Sequence, residues 1–243
     1  MKAMIFAAGL GTRLRPLTAH KPKALVEVSG RPLLEIAIRR LKWFGVKEII
    51  VNVHHHAGQI EDFLERHRRF GMEIAISDER ARLLDTGGGL KKASWFFEDG
   101  APFIALNTDV LTNLDLRAMY EAHRRSEALA TLAVRERKTS RYLLFDEQWR
   151  LAGWRNKKTA SERWSRPAPA AREYAFSGVQ VLRPALFDYF PEEEFFSIID
   201  VYLEAAKTEA VLGYPHDDTF WLDVGKLPAL EQAEQLVEKL KLA

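Results

Sequence analysis

Apolar and polar positions along this chain alternate between two periods. Lys2 to Ala7 is a short apolar run that stops at Gly9, which predicts a buried strand. From Leu33 to Phe44 the apolar residues recur every three or four positions, the spacing of a helix with one buried face, and Pro32 stands at its first turn. Lys47 to Val53 (K-E-I-I-V-N-V) predicts another strand. Gly58 to Phe70 predicts a helix with Ile60, Phe63, Leu64 and His67 on one side, and Met72 to Ser77 a strand. A helix over Leu90–Phe97, a strand over Phe103–Asn107, a helix over Leu114–Ser126 and a strand over Leu129–Arg135 continue the series. Strands alternating with helices predict an α/β fold built on a doubly wound, mostly parallel sheet.

The pattern changes after Arg135. Tyr142–Phe145 and Arg150–Asn156 predict a hairpin around D-E-Q-W, and Asn156 to Arg172 is polar, basic and proline-containing, which reads as a mobile loop. Tyr174–Leu182 predicts a strand, Thr219–Gly225 ends another, and Pro228–Leu240 has the spacing of an amphipathic helix. No internal repeat is visible. The expected organisation is one domain over residues 1–243: an α/β part over 1–135, a smaller β-rich part over 136–225, a closing helix over 226–243, and no appended repeat domain.

Composition narrows the function classes. Apolar residues make up 47%, enough for a sizeable core, while 36 basic and 34 acidic residues leave a net charge of only +2. Such a balance provides no global field for nucleic acid or an anionic membrane, so basic residues must act locally. There is no cysteine, which excludes disulfides, thiolate catalysis and cysteine-ligated zinc. The first apolar run is too short for a signal peptide and no stretch approaches a membrane span, so the expected location is the cytoplasm. Oligomeric state is left open, a homo-oligomer included.

The segment A-A-G-L-G-T-R-L-R-P-L-T-A-H-K-P-K, Ala7 to Lys23, carries the most specific signal. A glycine turn after a first strand lets backbone N–H groups converge on a phosphate. A dinucleotide fingerprint would need a third glycine where Leu14 stands and an uninterrupted helix where Pro16 stands, so a nicotinamide oxidoreductase is disfavoured. No G-x-x-x-x-G-K-[ST] run exists either. Instead Arg13, Arg15, Lys21 and Lys23 lie within the loop, where they could neutralise a triphosphate or simply be solvated.

With its continuation to Glu35, this segment resembles the signature of the sugar-phosphate nucleotidylyltransferases, the nucleoside-diphosphate-sugar pyrophosphorylases. D-T-G-G-G-L (Asp85–Leu90), N-T-D-V (Asn107–Val110), F-S-G-V-Q-V-L (Phe176–Leu182) and W-L-D-V-G (Trp221–Gly225) follow in the family's order. The chain is most similar to the short N-acetylmuramate-1-phosphate uridylyltransferases, with mannose-1-phosphate guanylyltransferases next. The resemblance implies a Rossmann-like nucleotide-diphospho-sugar transferase fold, with 1–135 holding nucleotide and 136–225 holding sugar.

The reaction it implies is attack by a sugar-1-phosphate oxygen on the α-phosphorus of a nucleoside triphosphate. The nucleophile is already anionic near neutral pH, because phosphate monoesters have a second pKa of about 6. Cations and positioning, rather than a base, are therefore what the protein must supply. By resemblance Arg13 and Lys23 are the catalytic cations, with Arg15 and Lys21 weaker candidates. Ala8, Gly9, Gly11, Thr12, Arg13, Gly88 and Asn107 bind nucleotide, and Ser177, Gly178 and Asn156 bind sugar. Asp109, at the carboxyl end of a core strand, and Asp223 would hold Mg2+. Read alone, Asp109 is equally a turn or capping aspartate, Gly88 part of a flexible turn and Gly178 a packing glycine.

Base and sugar stay open. Guanine would suit a carboxylate such as Glu79 or Asp85, uracil backbone groups. The family's Glu-Lys-Pro-type segment is replaced by G-W-R-N-K-K-T-A-S-E-R-W, in which Asn156, Lys157 and Lys158 are the candidate substitutes. His54–His56 is read as a strand-end loop rather than a metal site, because adjacent side chains on extended backbone diverge. Trp149, Trp154 and Trp164 are read as hairpin surface or core rather than a nucleic-acid platform, and Glu192–Glu194 as a solvated helix edge. A nucleoside triphosphate and a sugar-1-phosphate are the expected partners, with no nucleic acid and no membrane. The rivals are GTP with mannose-1-phosphate or another hexose-1-phosphate, and a non-catalytic nucleotide-sugar-binding regulatory protein.

Overall fold

The computed structural model describes residues 1–243. In chain order its elements are β1 (Lys2–Phe6), β2 (Glu27–Val28), β3 (Arg31–Pro32), α1 (Leu33–Trp43), β4 (Glu48–Val53), α2 (Ala57–Arg66), β5 (Glu73–Asp78), α3 (Asp85–Lys92), β6 (Phe103–Asn107) and β7 (Val110–Thr112). They continue with α4 (Leu116–Arg125), β8 (Ala130–Arg135), β9 (Arg141–Phe145), β10 (Leu151–Asn156), β11 (Ser161–Trp164), β12 (Arg172–Leu182), α5 (Ile198–Ala205), β13 (Val211–Pro215), β14 (Trp221–Asp223) and α6 (Pro228–Val237). They form two units. The first holds Met1–Leu84, Ala105–Leu116 and Thr219–Ala243; the second holds Asp85–Ile104 and Arg117–Asp218. This division is interleaved, whereas the sequence pattern changes once, at residue 135.

In the first unit β1 pairs in parallel with β4, from Lys2↔Glu48 to Phe6↔Asn52, and β4 with β5, from Glu48↔Glu73 to Val53↔Asp78. β6 neighbours β1 on its other side. Ile49, Ile50, Val51 and Val53 are all fully buried, which is why β4 reads as a continuous apolar run rather than an alternating one. A second cluster joins Leu14, Val26, Val28, Leu33, Ile36, Leu111 and Val224 to Ala233 and Val237 of α6. The helix near the end of the chain thus packs beneath Leu14 of the glycine-rich loop. At about 1.5–3 kcal/mol per fully buried large aliphatic side chain, this cluster anchors the loop.

In the second unit β8 is central, antiparallel to β12 and parallel to β13. β12 also pairs with β9, and β9, β10 and β11 form an antiparallel meander. Gly178, at φ +72, lies where the β12 register slips between Phe176 and Gln180, a bulge that glycine accommodates without a Cβ clash.

Several expectations need correction. Asn156–Arg172 is not a continuous loop: Ser161–Trp164 turns back to pair with β10. The second helix ends at Arg66, because Arg68, Arg69 and Phe70 take left-handed φ angles of 48–55°. Glu192–Glu194 is loop rather than a helix edge, and Lys91 Nζ reaches the Pro191, Glu192 and Glu193 carbonyls at 2.5, 2.9 and 3.3 Å. The helix expected at Leu90 begins at Asp85, so D-T-G-G-G is its first turn and not a loop.

Candidate phosphate and metal site

The glycine-rich loop is closed by contacts among residues far apart in its signature. Gly11 adopts φ +63, and a Cβ there would stand 3.0 Å from both Lys23 Cβ and Thr18 Cγ2. Thr18, buried, donates its hydroxyl to the Gly11 carbonyl at 2.8 Å. Gly11, Thr18 and Lys23 therefore converge, and only a residue without a side chain fits between the other two. At the strand exit, Asn52 Oδ1 accepts the N–H groups of Ala7 at 2.7 Å and Ala8 at 3.3 Å. The Ala8 N–H thus faces Asn52. Gly9, Thr12 and Arg13 follow on exposed backbone, with Gly11 half-buried.

Asn52 is itself held. Its Nδ2 donates to Glu79 Oε1 at 2.7 Å, and Glu79 Oε2 accepts the Leu84 N–H at 3.3 Å. Both side chains are buried, Asn52 at 3% and Glu79 at 1% exposure. Low local dielectric strengthens such a network and makes it costly to break. Glu79, considered above as a partner for guanine, spends both oxygens on the protein. His54 Nδ1 contacts the Glu79 carbonyl at 2.6 Å, tying the histidine run to the same corner. Loss of hydration, followed by His56, His54 and Arg15, lowers the pKa of His55.

Four charges meet in the first unit. β7 pairs with β14, setting Asp223 opposite Val110, and Val224 N–H donates to the Asp109 carbonyl at 2.8 Å. That ladder brings the two aspartates, 114 positions apart in sequence, onto adjacent backbone. Lys23 Nζ is ion-paired to Asp109 Oδ2, with both side chains at 20% exposure or less. Arg13 Nη2 lies 3.8 Å from Asp223 Oδ2, and the arginine is 57% exposed. Lys23 is thus the fixed cation and Arg13 the loose one. Arg15 and Lys21 make no ion pair here, in keeping with solvation. Asn107 ends β6 two residues before Asp109.

The donor set suits magnesium. Two hard carboxylates are available and no third carboxylate or imidazole completes a cage; Mg2+ takes one or two carboxylates and fills its octahedron with waters and substrate phosphates. Gly225 was not singled out by sequence, although W-L-D-V-G contains it. A Cβ at Gly225 would sit 2.5 Å from Asp223 Oδ1 and 2.7 Å from Arg13 Nη2. The glycine leaves the space that this pair occupies.

The second unit places the remaining candidates differently. Gly87 and Gly88 donate their N–H groups to the Phe196 carbonyl at 3.0 and 3.3 Å, and a Cβ at Gly87 would enter the Phe196 ring. Close packing inside this unit thus accounts for at least one of the three glycines. The Ser177 hydroxyl is buried 2.7 Å from His216 Nε2. Asn156 Oδ1 accepts the Lys158 N–H at 3.0 Å within its own turn, and Lys157 pairs with Glu173 at 2.6 Å. The Ser177 and Asn156 side chains are thus each engaged within the protein, and Gly178 has none to offer.

A profile of the family described as nucleotidyl transferase matches residues 2–239. The chain is 34% identical to N-acetylmuramate alpha-1-phosphate uridylyltransferase of Neisseria meningitidis serogroup B, over 97% of this chain and 98% of that protein. It is 31% identical to a UTP–glucose-1-phosphate uridylyltransferase of Synechocystis, over 96% of this chain but only 62% of that longer protein. Among solved structures it superposes on the inositol-1-phosphate CTP transferase of T. maritima with a TM-score of 0.79 at 18% identity, covering 99% of this chain and 96% of that one. No helix is long and apolar enough to cross a membrane. The signature loop, the four-charge cluster and a match along nearly its whole length place the chain in the nucleotidyl transferase family, among the sugar-phosphate nucleotidylyltransferases.

Proposed function

We propose that this protein joins a nucleoside triphosphate to a sugar-1-phosphate, with UTP and N-acetylmuramate-1-phosphate as the favoured pair. The observation that carries the chemistry is the pairing of Lys23 with Asp109 and Arg13 with Asp223 on one β7–β14 ladder. The full-length 34% match to the Neisseria uridylyltransferase supports the choice of pair. So does the engagement of Glu79 by Asn52 and Leu84, which removes one of the two carboxylates weighed for guanine.

An oxygen of the sugar-1-phosphate attacks the α-phosphorus, the new P–O bond forms, and the bond to the β-phosphate bridging oxygen breaks to release pyrophosphate. The nucleophile arrives ionised, so the chain's task is to hold several anions close together. Backbone N–H groups of the loop after Gly9 cradle phosphate oxygens, oriented by the Gly11–Thr18–Lys23 closure. Lys23, little exposed and held by Asp109, presents a compact ammonium to the reacting phosphates. Arg13, exposed and loosely paired, swings from Asp223 to a bidentate grip on the triphosphate. Asp109 and Asp223 would hold the magnesium ion, which when bound neutralises phosphate charge.

Pyrophosphate release from a matrix of nucleoside triphosphates and sugar-1-phosphates, with magnesium, tests the reading. The expected maximum is UTP with N-acetylmuramate-1-phosphate. A maximum with GTP and mannose-1-phosphate would replace the substrates but keep the chemistry. No release from any pair would favour a nucleotide-sugar-binding regulator.

A further inference from the structure

A cavity of about 290 Å³ opens in the second unit, lined by Asp146, Glu147, Trp149, Ala170, Arg172 and Tyr174. None of these residues belongs to the phosphate site, and Ser177, Gly178 and Asn156 do not line it. We infer that this cavity is a separate binding site for a free monosaccharide.

Its walls are aromatic and held in place. Trp149 adopts φ +59 in the turn between β9 and β10, a conformation that favours glycine or asparagine and strains a bulky side chain. It is nevertheless fixed: its N–H donates to the Asp146 carbonyl at 3.1 Å, and its carbonyl accepts the Gly213 N–H at 2.8 Å. A Cβ on Gly213 would meet the indole Cε3 at 3.0 Å, so Gly213 makes room for the ring. Tyr174 stands beside it, with ring centroids 4.8 Å apart and planes tilted by 48°. Tyr174 is 7% exposed, its hydroxyl donates to no protein group, and that hydroxyl is not sealed in the core. A buried tyrosine normally finds a partner for its hydroxyl. Here the cavity is where that partner would be.

The rim selects the ligand class. Asp146 is already satisfied: Oδ1 accepts the N–H groups of Gln148 and Arg150 at 3.0 and 2.8 Å, and Oδ2 takes Arg166 at 2.5 Å. Exposed Glu147 and Arg172 remain, one acceptor and one donor of opposite charge and without ion pairs. One guanidinium facing two carboxylates does not suit a phosphate, and the same guanidinium opposes a cation. A ring with an apolar C–H face and a periphery of hydroxyls satisfies both the aromatic walls and the mixed rim. The volume lies at the small end for ligand pockets, the size of one sugar rather than of a nucleotide sugar.

Titration of the full chain with free glucose, N-acetylglucosamine and N-acetylmuramic acid, followed by saturation-transfer NMR and calorimetry, tests the inference. At least one sugar is expected to bind saturably. Trp149→Gly, which suits the left-handed backbone, is expected to abolish binding, and Tyr174→Phe and Arg172→Gln to weaken it several-fold. Lys23→Ala is expected to leave it unchanged. Absence of saturable binding by all three sugars overturns the inference. So does binding unaffected by Tyr174→Phe, Arg172→Gln and Trp149→Gly, or binding lost in Lys23→Ala instead. Failure to make nucleotide sugar would leave this result intact, since the two readings rest on different residues.

Discussion

Asn52→Ala removes the side chain that joins the strand exit to the loop before α3. Three contacts go with it: the Ala7 N–H at 2.7 Å, the Ala8 N–H at 3.3 Å and Glu79 Oε1 at 2.7 Å. The long Ala8 contact contributes little. The other two leave a buried N–H and a buried carboxylate oxygen without this partner, at about 1–3 kcal/mol each. Allowing for partial relaxation, the loss is about 3 kcal/mol, which for a chain of this size lowers Tm by roughly 6–12 °C. The same change frees the entrance to the phosphate loop, and misplacing a catalytic element by about 1 Å costs on the order of 100-fold in rate. Differential scanning calorimetry and pyrophosphate release at saturating substrate check both effects. A Tm within about 1 °C of the parent, with kcat within twofold, would refute the assigned role of Asn52.

Other perturbations address the charges and the buried imidazole. Lys23→Ala is expected to lower kcat by about 100-fold or more, as for loss of one donor of a preorganised anion site; near-normal turnover removes Lys23 from the mechanism. Gly225→Ala places a methyl group against Asp223 and Arg13 and is expected to cut kcat/KM by roughly 10- to 100-fold with little change in Tm; an unchanged kcat/KM contradicts the assigned pair. Asp109→Ala and Asp223→Ala are each expected to abolish magnesium-stimulated turnover, and retention of that stimulation misplaces the metal. Burial, followed by the charge of Arg183, lowers the His123 pKa from 6.5 to about 4. The unfolded chain therefore binds a proton first as pH falls. Stability from the neutral ring is full above about pH 6.5 and is lost toward pH 4, by up to about 3 kcal/mol. Urea unfolding of the parent and His123→Phe is expected to converge as pH drops from 7.5 to 5, and parallel curves refute this.

The strand–helix alternation of residues 2–135 was legible because both faces of β4 and one face of α1 are buried, and those are the periods a sequence displays. Arg13, Lys23, Asp109 and Asp223 were legible as parts of a signature, but not as two ion pairs. That arrangement depends on the β7–β14 ladder, whose strands are three residues each and leave no periodic trace. Asn52 carried a weak signal, a polar residue inside E-I-I-V-N-V. Glu79 carried none, because nothing local distinguishes a buried glutamate from a solvated one. β11 was hidden because all four of its residues are exposed. Gly87 of D-T-G-G-G was not legible as a packing glycine: close approach to Phe196 requires a missing side chain, just as close approach to a nucleotide does.

The central claim is that the four-charge cluster serves nucleotidyl transfer. Phosphorus-31 NMR of UTP, N-acetylmuramate-1-phosphate and magnesium with the parent protein tests it most directly. New pyrophosphate and nucleotide-sugar diphosphate resonances are expected to grow together, with no growth on the same timescale in Lys23→Ala. Equal growth in Lys23→Ala, or no new resonances from the parent with any nucleoside triphosphate and sugar-1-phosphate, would contradict it.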